Sequence, residues 1–243
     1  MKIIKYIAAF IVLEVVMTIL LFPIKNYNIA LLITNIVITA VFFLKRFADV
    51  KRLFVLQKFY MYIIVALLTL CQVTPTEVFG TFLNLPDLFK ESFDAKLYSV
   101  SGFLCLCVFG PIMEETLFRG AILNTLLEKY TPWRSIFMSS LLFALIHLNP
   151  AQFIPVFSFG IFIGWIYYRL KDLSICIFSH MLYNSSVYCL SCTSLTGNHP
   201  IITNDNFLDL SAFFSVLVFV GLILLILKHD KLDRKMRISK KGF

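Results

Sequence analysis

YSVSGFLCLCVFGPIMEETLFRGAILNTLL, residues 98–127, is apolar at both ends and charged in the middle. A helix is the one structure that satisfies the backbone of such a run inside lipid. A charged side chain deep in a bilayer costs several kcal/mol and faces the bundle interior, usually with a partner. Glu114, Glu115 and Arg119 are therefore candidates for function at first sight. Glu115 and Arg119 stand i,i+4 and share a face, while Glu114 points about 100° away. The simplest division of labour pairs Arg119 with Glu115, which orients the helix and leaves Glu114 for chemistry.

Apolar runs of this kind repeat along the whole chain. Of its 243 residues 59% are hydrophobic and 15% charged, and the mean hydropathy is +0.86, far above that of an ordinary soluble domain. Runs of about 17 to 25 residues match a hydrocarbon core of about 30 Å. Eight are read, over 3–23, 28–44, 54–72, 98–127, 132–148, 153–169, 172–190 and 208–228. The fold class is all-α: a polytopic integral membrane helix bundle of about eight transmembrane helices. No linker, low-complexity tract or internal repeat divides it, so 1–243 is read as a single membrane domain.

Orientation follows from the positive charge, because short cytoplasmic loops carry the Lys/Arg excess. With both termini cytoplasmic, 17 of the 22 basic residues fall inside; Lys25, Lys90 and Lys96 fall outside, and Lys58 and Arg119 within spans. Topology, together with attraction of the basic tail to anionic lipid, accounts for the +8 net charge. No nucleic acid partner is needed. The first span lacks a small-residue cleavage site and carries Glu14, so it is read as a mature helix rather than a signal peptide. The result is a multi-pass protein of the cell membrane.

The six cysteines lie mostly in apolar spans and are read as small hydrophobes. Cys189 and Cys192 are the one pair placed to form a disulfide. Between spans three and four, residues 73–97 carry Phe79, Phe82, Leu85, Leu88, Phe89 and Phe93 at helical spacing. That pattern fits an amphipathic piece on the outer interface, or an ordinary loop with apolar anchors. His199 and His229 are expected to face solvent.

Beside the charged residues of span four stand His147 in span five and His180 with Asn184 in span seven. Counting rise from the cytoplasmic ends places Glu114 and His147 roughly 20 Å in, His180 roughly 12 Å and Asn184 roughly 18 Å. Three helices thus bring a carboxylate, two imidazoles and a carboxamide toward one level, with Gly110 and Pro111 loosening the helix just before the glutamates. These groups suit hydrolysis. A desolvated glutamate can act as general base on water, an imidazole can share that proton or bind a metal, and a His/Asn pair can donate to an oxyanion. The serines and cysteines lack a comparable basic partner, apart from the lone spacing of Cys176 to His180.

EETLFR (114–119), FALIH (143–147) and HMLYN (180–184), in that order on separate spans, resemble the three motifs of the CAAX protease and bacteriocin-processing family, CPBP or Abi. That family includes the type II CAAX prenyl endopeptidases. The resemblance covers about residues 98–190, which it implies to be the catalytic core, and the short chain looks more like the bacterial branch. It implies an intramembrane endopeptidase in which Glu114 and His147 activate the attacking water and His180 and Asn184 stabilise the oxyanion. Glu115 and Arg119 would be supporting, and Phe143 would line the cavity. The substrate would be a peptide or a lipidated or membrane-anchored protein, in bacteriocin or pheromone processing or in self-immunity.

Metal use stays open at this point. The chain has no HExxH, yet two histidines and a carboxylate from separate helices, Glu114, His147 and His180, would make a three-ligand zinc site. A glutamate-activated water with no obligatory cofactor is the first reading, a zinc metalloprotease the second. Paired membrane charges also serve structure, so a non-catalytic scaffold or immunity protein is the rival from another class. A proton-coupled transporter would show two related halves, which are not seen. Glu14, Asn35 and Lys58 receive no role from the resemblance and are read as structural.

Overall fold

The computed structural model describes residues 2–55, 57–83, 85–94, 96 and 99–195, with positions 220 and 224. Every regular element among them is helical. Seven long helices follow in order: α1 (Lys2–Leu21), α2 (Tyr27–Leu44), α3 (Phe59–Leu83), α4 (Val100–Leu127), α5 (Pro132–Ile146), α6 (Pro150–Leu170) and α7 (Leu173–Leu195). They correspond one to one with the first seven expected spans, and the protein is a multi-pass membrane helix bundle. The eighth expected span, 208–228, and the two histidines expected to face solvent lie outside the described residues.

One expectation changes. α3 starts at Phe59 rather than 54 and runs on to Leu83 rather than 72, past Pro75, so the first half of the stretch read as an interfacial piece continues a span as backbone. Lys58 consequently precedes α3 instead of lying within it, and its Nζ sits 6.0 Å from the Tyr60 ring centroid. No disulfide joins Cys189 to Cys192, which stand three residues apart on one helix.

Local chemistry fixes the helix ends. Asn26 caps α2 by accepting from the Asn28 and Ile29 backbone N–H groups at 3.1 and 3.3 Å. Ser99 caps α4 through Gly102 N–H at 3.0 Å, and Asp172 caps α7 through Ser174 N–H at 2.8 Å. Pro132 and Pro150 open α5 and α6, where a missing N–H is harmless. α6 ends on Lys171 in the left-handed region, φ 53°, and burial together with the Arg52 charge lowers the pKa of that ammonium.

Contacts between the ends agree with the alternating topology. Lys2 pairs with Glu128 at 3.5 Å, and Arg52 Nη1 donates to Lys171 O at 3.3 Å, joining segments on the side assigned to the cytoplasm. At the other end Asn28 Nδ2 reaches Ser99 Oγ at 3.4 Å. The core fills the space between α4 and its neighbours with Leu117, Ile122, Leu123, Ile163, Ile166 and Tyr167. α5 and α6 form a close antiparallel hairpin: a Cβ on Gly160 would stand 3.0 Å from Ser140 Cβ, the small-residue contact by which membrane helices approach one another.

Candidate active site

α4 is one continuous helix of 28 residues, about 42 Å at ideal rise, but two stretches of it, Leu104–Phe109 and Thr116–Leu123, are wound as π-helix. The glutamates lie in the α-helical turn between them, Gly110–Glu115. Such widened turns are frequent at functional sites. In the first, Gly110 N–H bonds Cys105 O, five residues back. Continuing that register, the donor to Leu106 O would be residue 111, and Pro111 has no N–H. Asn184 takes its place: Nδ2 donates to Leu106 O at 2.9 Å. Pro111 thus creates the acceptor that anchors Asn184, and the second amide hydrogen of Asn184 stays available.

The charged residues form a chain of contacts across α4, α6 and α7. Glu115 Oε1 accepts from Arg119 Nη1 at 2.9 Å and from His180 Nδ1 at 2.7 Å. Arg119 Nη2 donates to Gly160 O at 3.3 Å, and its guanidinium lies 4.6 Å from the Phe143 ring centroid, a cation–π contact. All three charged or polar side chains are buried, Glu115 completely. Since a carboxylate can only accept, Nδ1 of His180 carries a hydrogen and Nε2 is turned outward. It stands 3.7 Å from Glu114 Oε2, an electrostatic contact rather than a hydrogen bond. Glu114 is the exposed member, with 26% of its side chain accessible. The division of labour expected from the i,i+4 spacing therefore appears as geometry, with His180 added between the two carboxylates.

His147 is the C-cap residue of α5, at the end of a helix about 22 Å long rather than inside a span. Its Nδ1 donates to Phe143 O at 2.8 Å, which leaves Nε2 free. Phe143 is the hub: its ring meets His147 edge-on at 5.0 Å, His180 at 5.8 Å and Phe118 at 5.0 Å. At 1% exposure it packs beneath the imidazoles instead of lining open space. Phe159 braces His180 from the other side at 5.2 Å and stacks on Tyr183 at 4.2 Å.

Sequence reasoning missed three neighbours of the site. Glu14 lies on the inward stripe of α1 with Phe10 and Met17, within electrostatic reach of Glu114, and its carboxylate has no hydrogen-bond or ion-pair partner among the described residues. Asn35, buried on α2, turns Nδ2 toward Cys105 Sγ at 4.0 Å beside Gly110. Asn149, two residues after His147, holds Asp87. Glu14 and Asn35 carry a signal in the sequence, as polar residues within spans, whereas Asn149 carries none.

For zinc, the donor chemistry of Glu114, His147 and His180 is suitable, because both imidazoles have Nδ1 engaged as zinc-binding histidines do. The spacing is not: among the described residues no three His, Cys, Asp or Glu side chains gather closely enough to hold a metal ion. The residues as placed do not fit the metal.

The family model described as type II CAAX prenyl endopeptidase, Rce1-like, matches residues 96–186. The chain is 32% identical over 119 residues to the membrane-embedded CAAX protease MroQ of Staphylococcus aureus (strain USA300), covering 46% of this chain and 47% of that protein. It is 30% identical over 80 residues to YdiL of Bacillus subtilis (strain 168), which is named as a membrane peptidase, covering 33% of each. The matches thus span between a third and about half the length of these curated relatives. No solved structure gives a significant match. The resemblance drawn from EETLFR, FALIH and HMLYN is borne out by these matches.

Proposed function

We propose that this protein is an intramembrane endopeptidase that hydrolyses a peptide bond with a water activated by Glu114, and that residues 98–190 are its catalytic core. The observation that carries the reading is the relay Arg119–Glu115–His180–Glu114, in which the buried pair orients the imidazole and only the last carboxylate is open. In this reading Glu114 takes a proton from water, assisted by Nε2 of His147, and the hydroxide oxygen bonds the carbonyl carbon. In this reading His180 carries a hydrogen on each ring nitrogen, and its Nε2–H and the unused amide hydrogen of Asn184 receive the oxyanion. The C–N bond then breaks as Glu114 returns the proton to the departing nitrogen, giving one carboxylic acid and one amine. Phe143, Arg119 and Glu115 hold the imidazoles in place.

The substrate class that suits a carboxylate open at the middle of a helix bundle is a peptide or protein segment held in the membrane by apolar or lipid anchors. Bacteriocin or pheromone maturation and self-immunity are instances of it. The name of the staphylococcal relative supports the peptidase assignment.

Cleavage of a panel of membrane-anchored peptides by purified protein in lipid nanodiscs tests the reading. Wild type should cut, Glu114→Gln and His180→Ala should not, and a strong zinc chelator should leave the rate unchanged. Loss on chelation with rescue by zinc would replace the glutamate mechanism with a metalloprotease. Full biological activity of a folded Glu114→Gln protein in cells would remove the enzyme reading in favour of a scaffold.

A further inference from the structure

The turn that follows His147 is held by a residue the relay does not use. α5 and α6 are joined by His147, Leu148 and Asn149 alone, and Leu148 adopts φ 50°, the left-handed conformation a branched side chain rarely takes. Asn149 occupies the N-cap position of α6, where an asparagine normally accepts from the first turn of the helix. It makes no such bond. Its side chain points instead to the segment after α3, 61 to 62 positions earlier: Nδ2 donates to Asp87 Oδ1 at 2.8 Å and Oδ1 accepts from Leu88 N–H at 3.2 Å. Asp87 Oδ1 also accepts from Phe89 N–H at 3.1 Å. Asn149 is 3% exposed, although Leu148 at 74% and Leu88 at 62% are open and Asp87 is itself exposed, so the clasp is buried on its Asn149 side and open on its Asp87 side.

Resting on the endopeptidase reading, we propose that Asn149 is a positioning residue for His147, acting through its clasp with Asp87. His147 is the last residue before the strained turn, and its own backbone N–H is held only by a long bond to Ala144 O at 3.3 Å besides its C-cap contact to Leu145. The ring direction is set by Nδ1 donating to Phe143 O, one turn back. That bond survives only while the turn holds the His147 backbone in helical register. The clasp supplies the restraint from outside the hairpin, and it keeps Nε2 directed away from the helix that carries it. Asp87 and Asn149 therefore act on the reaction without touching substrate.

Reciprocal exchange tests this directly. Asn149→Asp sets two carboxylates against each other, whereas Asp87→Asn together with Asn149→Asp restores an amide donor opposite a carboxylate acceptor. Asn149→Asp should lower kcat at least tenfold with KM within about twofold, and the double exchange should recover kcat to within about threefold. In 15N-histidine spectra of the same proteins, the His147 ring should lose its single Nδ1–H tautomer in Asn149→Asp and regain it in the exchange, while His180 stays unchanged. Asp87→Ala, which leaves Asn149 in place, covers the case in which Asn149→Asp does not fold, and should reproduce the loss. Unchanged kcat and an unchanged His147 ring in a folded variant would overturn the proposal, as would a loss the exchange does not rescue. If wild type cuts no peptide, the endopeptidase reading falls while the ring spectra still decide the clasp.

Discussion

His180 and Glu115 stand 65 positions apart in the chain and meet at 2.7 Å with both side chains buried. The same Glu115 oxygen also holds Arg119, so one buried carboxylate serves a cation and an imidazole at once. Removing one partner of a buried ion pair leaves an uncompensated charge and is strongly destabilising, about 3–5 kcal/mol. Glu115→Gln should therefore lower both stability and activity. Glu114→Gln, at an open and weakly held carboxylate, should leave unfolding within about 0.5 kcal/mol of wild type while reducing kcat about 10²–10⁴-fold. Parallel thermal unfolding and cleavage assays separate the two. Equal loss of stability in both variants would contradict the relay.

Asn184 has two duties, one to the Leu106 carbonyl and one to the proposed oxyanion. Asn184→Ala should reduce kcat about 10²–10³-fold and, by orphaning a partly buried carbonyl, destabilise by about 1–3 kcal/mol. Pro111→Ala gives the opposite test. The new N–H competes with Asn184 for Leu106 O, so activity should fall while the helix is no less stable. Activity unchanged in Pro111→Ala would mean that Asn184 does not depend on that anchor.

Gly160 has its carbonyl on Arg119 and its Cα face on α5. An added Cβ would meet Ser140 Cβ at 3.0 Å, Ser140 Cα at 3.2 Å and Phe143 Cδ1 at 3.3 Å. Gly160→Ala should cost about 1–3 kcal/mol through overpacking, and it should displace Phe143, on which both imidazoles rest. Activity should fall more than for Gly164→Ala, where the nearest contact is the Ile136 Cγ2 methyl at 3.1 Å. Equal effects would place Phe143 outside the machinery.

Lys171 pairs a left-handed backbone with an ammonium whose pKa is lowered by burial and by Arg52. Lys171→Gly removes both burdens and keeps the carbonyl that Arg52 uses, so it should stabilise by about 1 kcal/mol. The sign with pH follows from linkage: the folded state disfavours the charged lysine, so the penalty is full at neutral pH and is relieved as pH rises from the lowered value through the ordinary lysine range. The gain from glycine should accordingly be larger at pH 7 than under strongly alkaline conditions. Unfolding curves at the two pH values check it.

The parts legible in the sequence are those governed by local rules. Apolar run length located seven of the described helices, and the i,i+4 spacing of Glu115 and Arg119 gave their pairing. What stayed hidden depends on how helices are rotated against one another, which no spacing within one helix records. The His180–Glu115 contact, the inward turn of Glu14 and the reach of Asn149 to Asp87 are of that kind. α3 was misjudged for a different reason: polar Thr74, Thr76 and Glu77 around Pro75 ended the hydropathy signal, whereas the hydrogen-bonded backbone carried on.

The widened turns of α4 also bear on how this protein can vary over generations. A π turn carries an additional residue for the same advance of the helix, so Leu104–Phe109 and Thr116–Leu123 are places where a one-residue deletion can be absorbed by reverting to ordinary winding. The turn between them has no such slack, because Glu114 and Glu115 must face opposite sides of one imidazole. Length drift in descendants of this chain is therefore expected to collect on either side of the paired glutamates and to spare the pair itself.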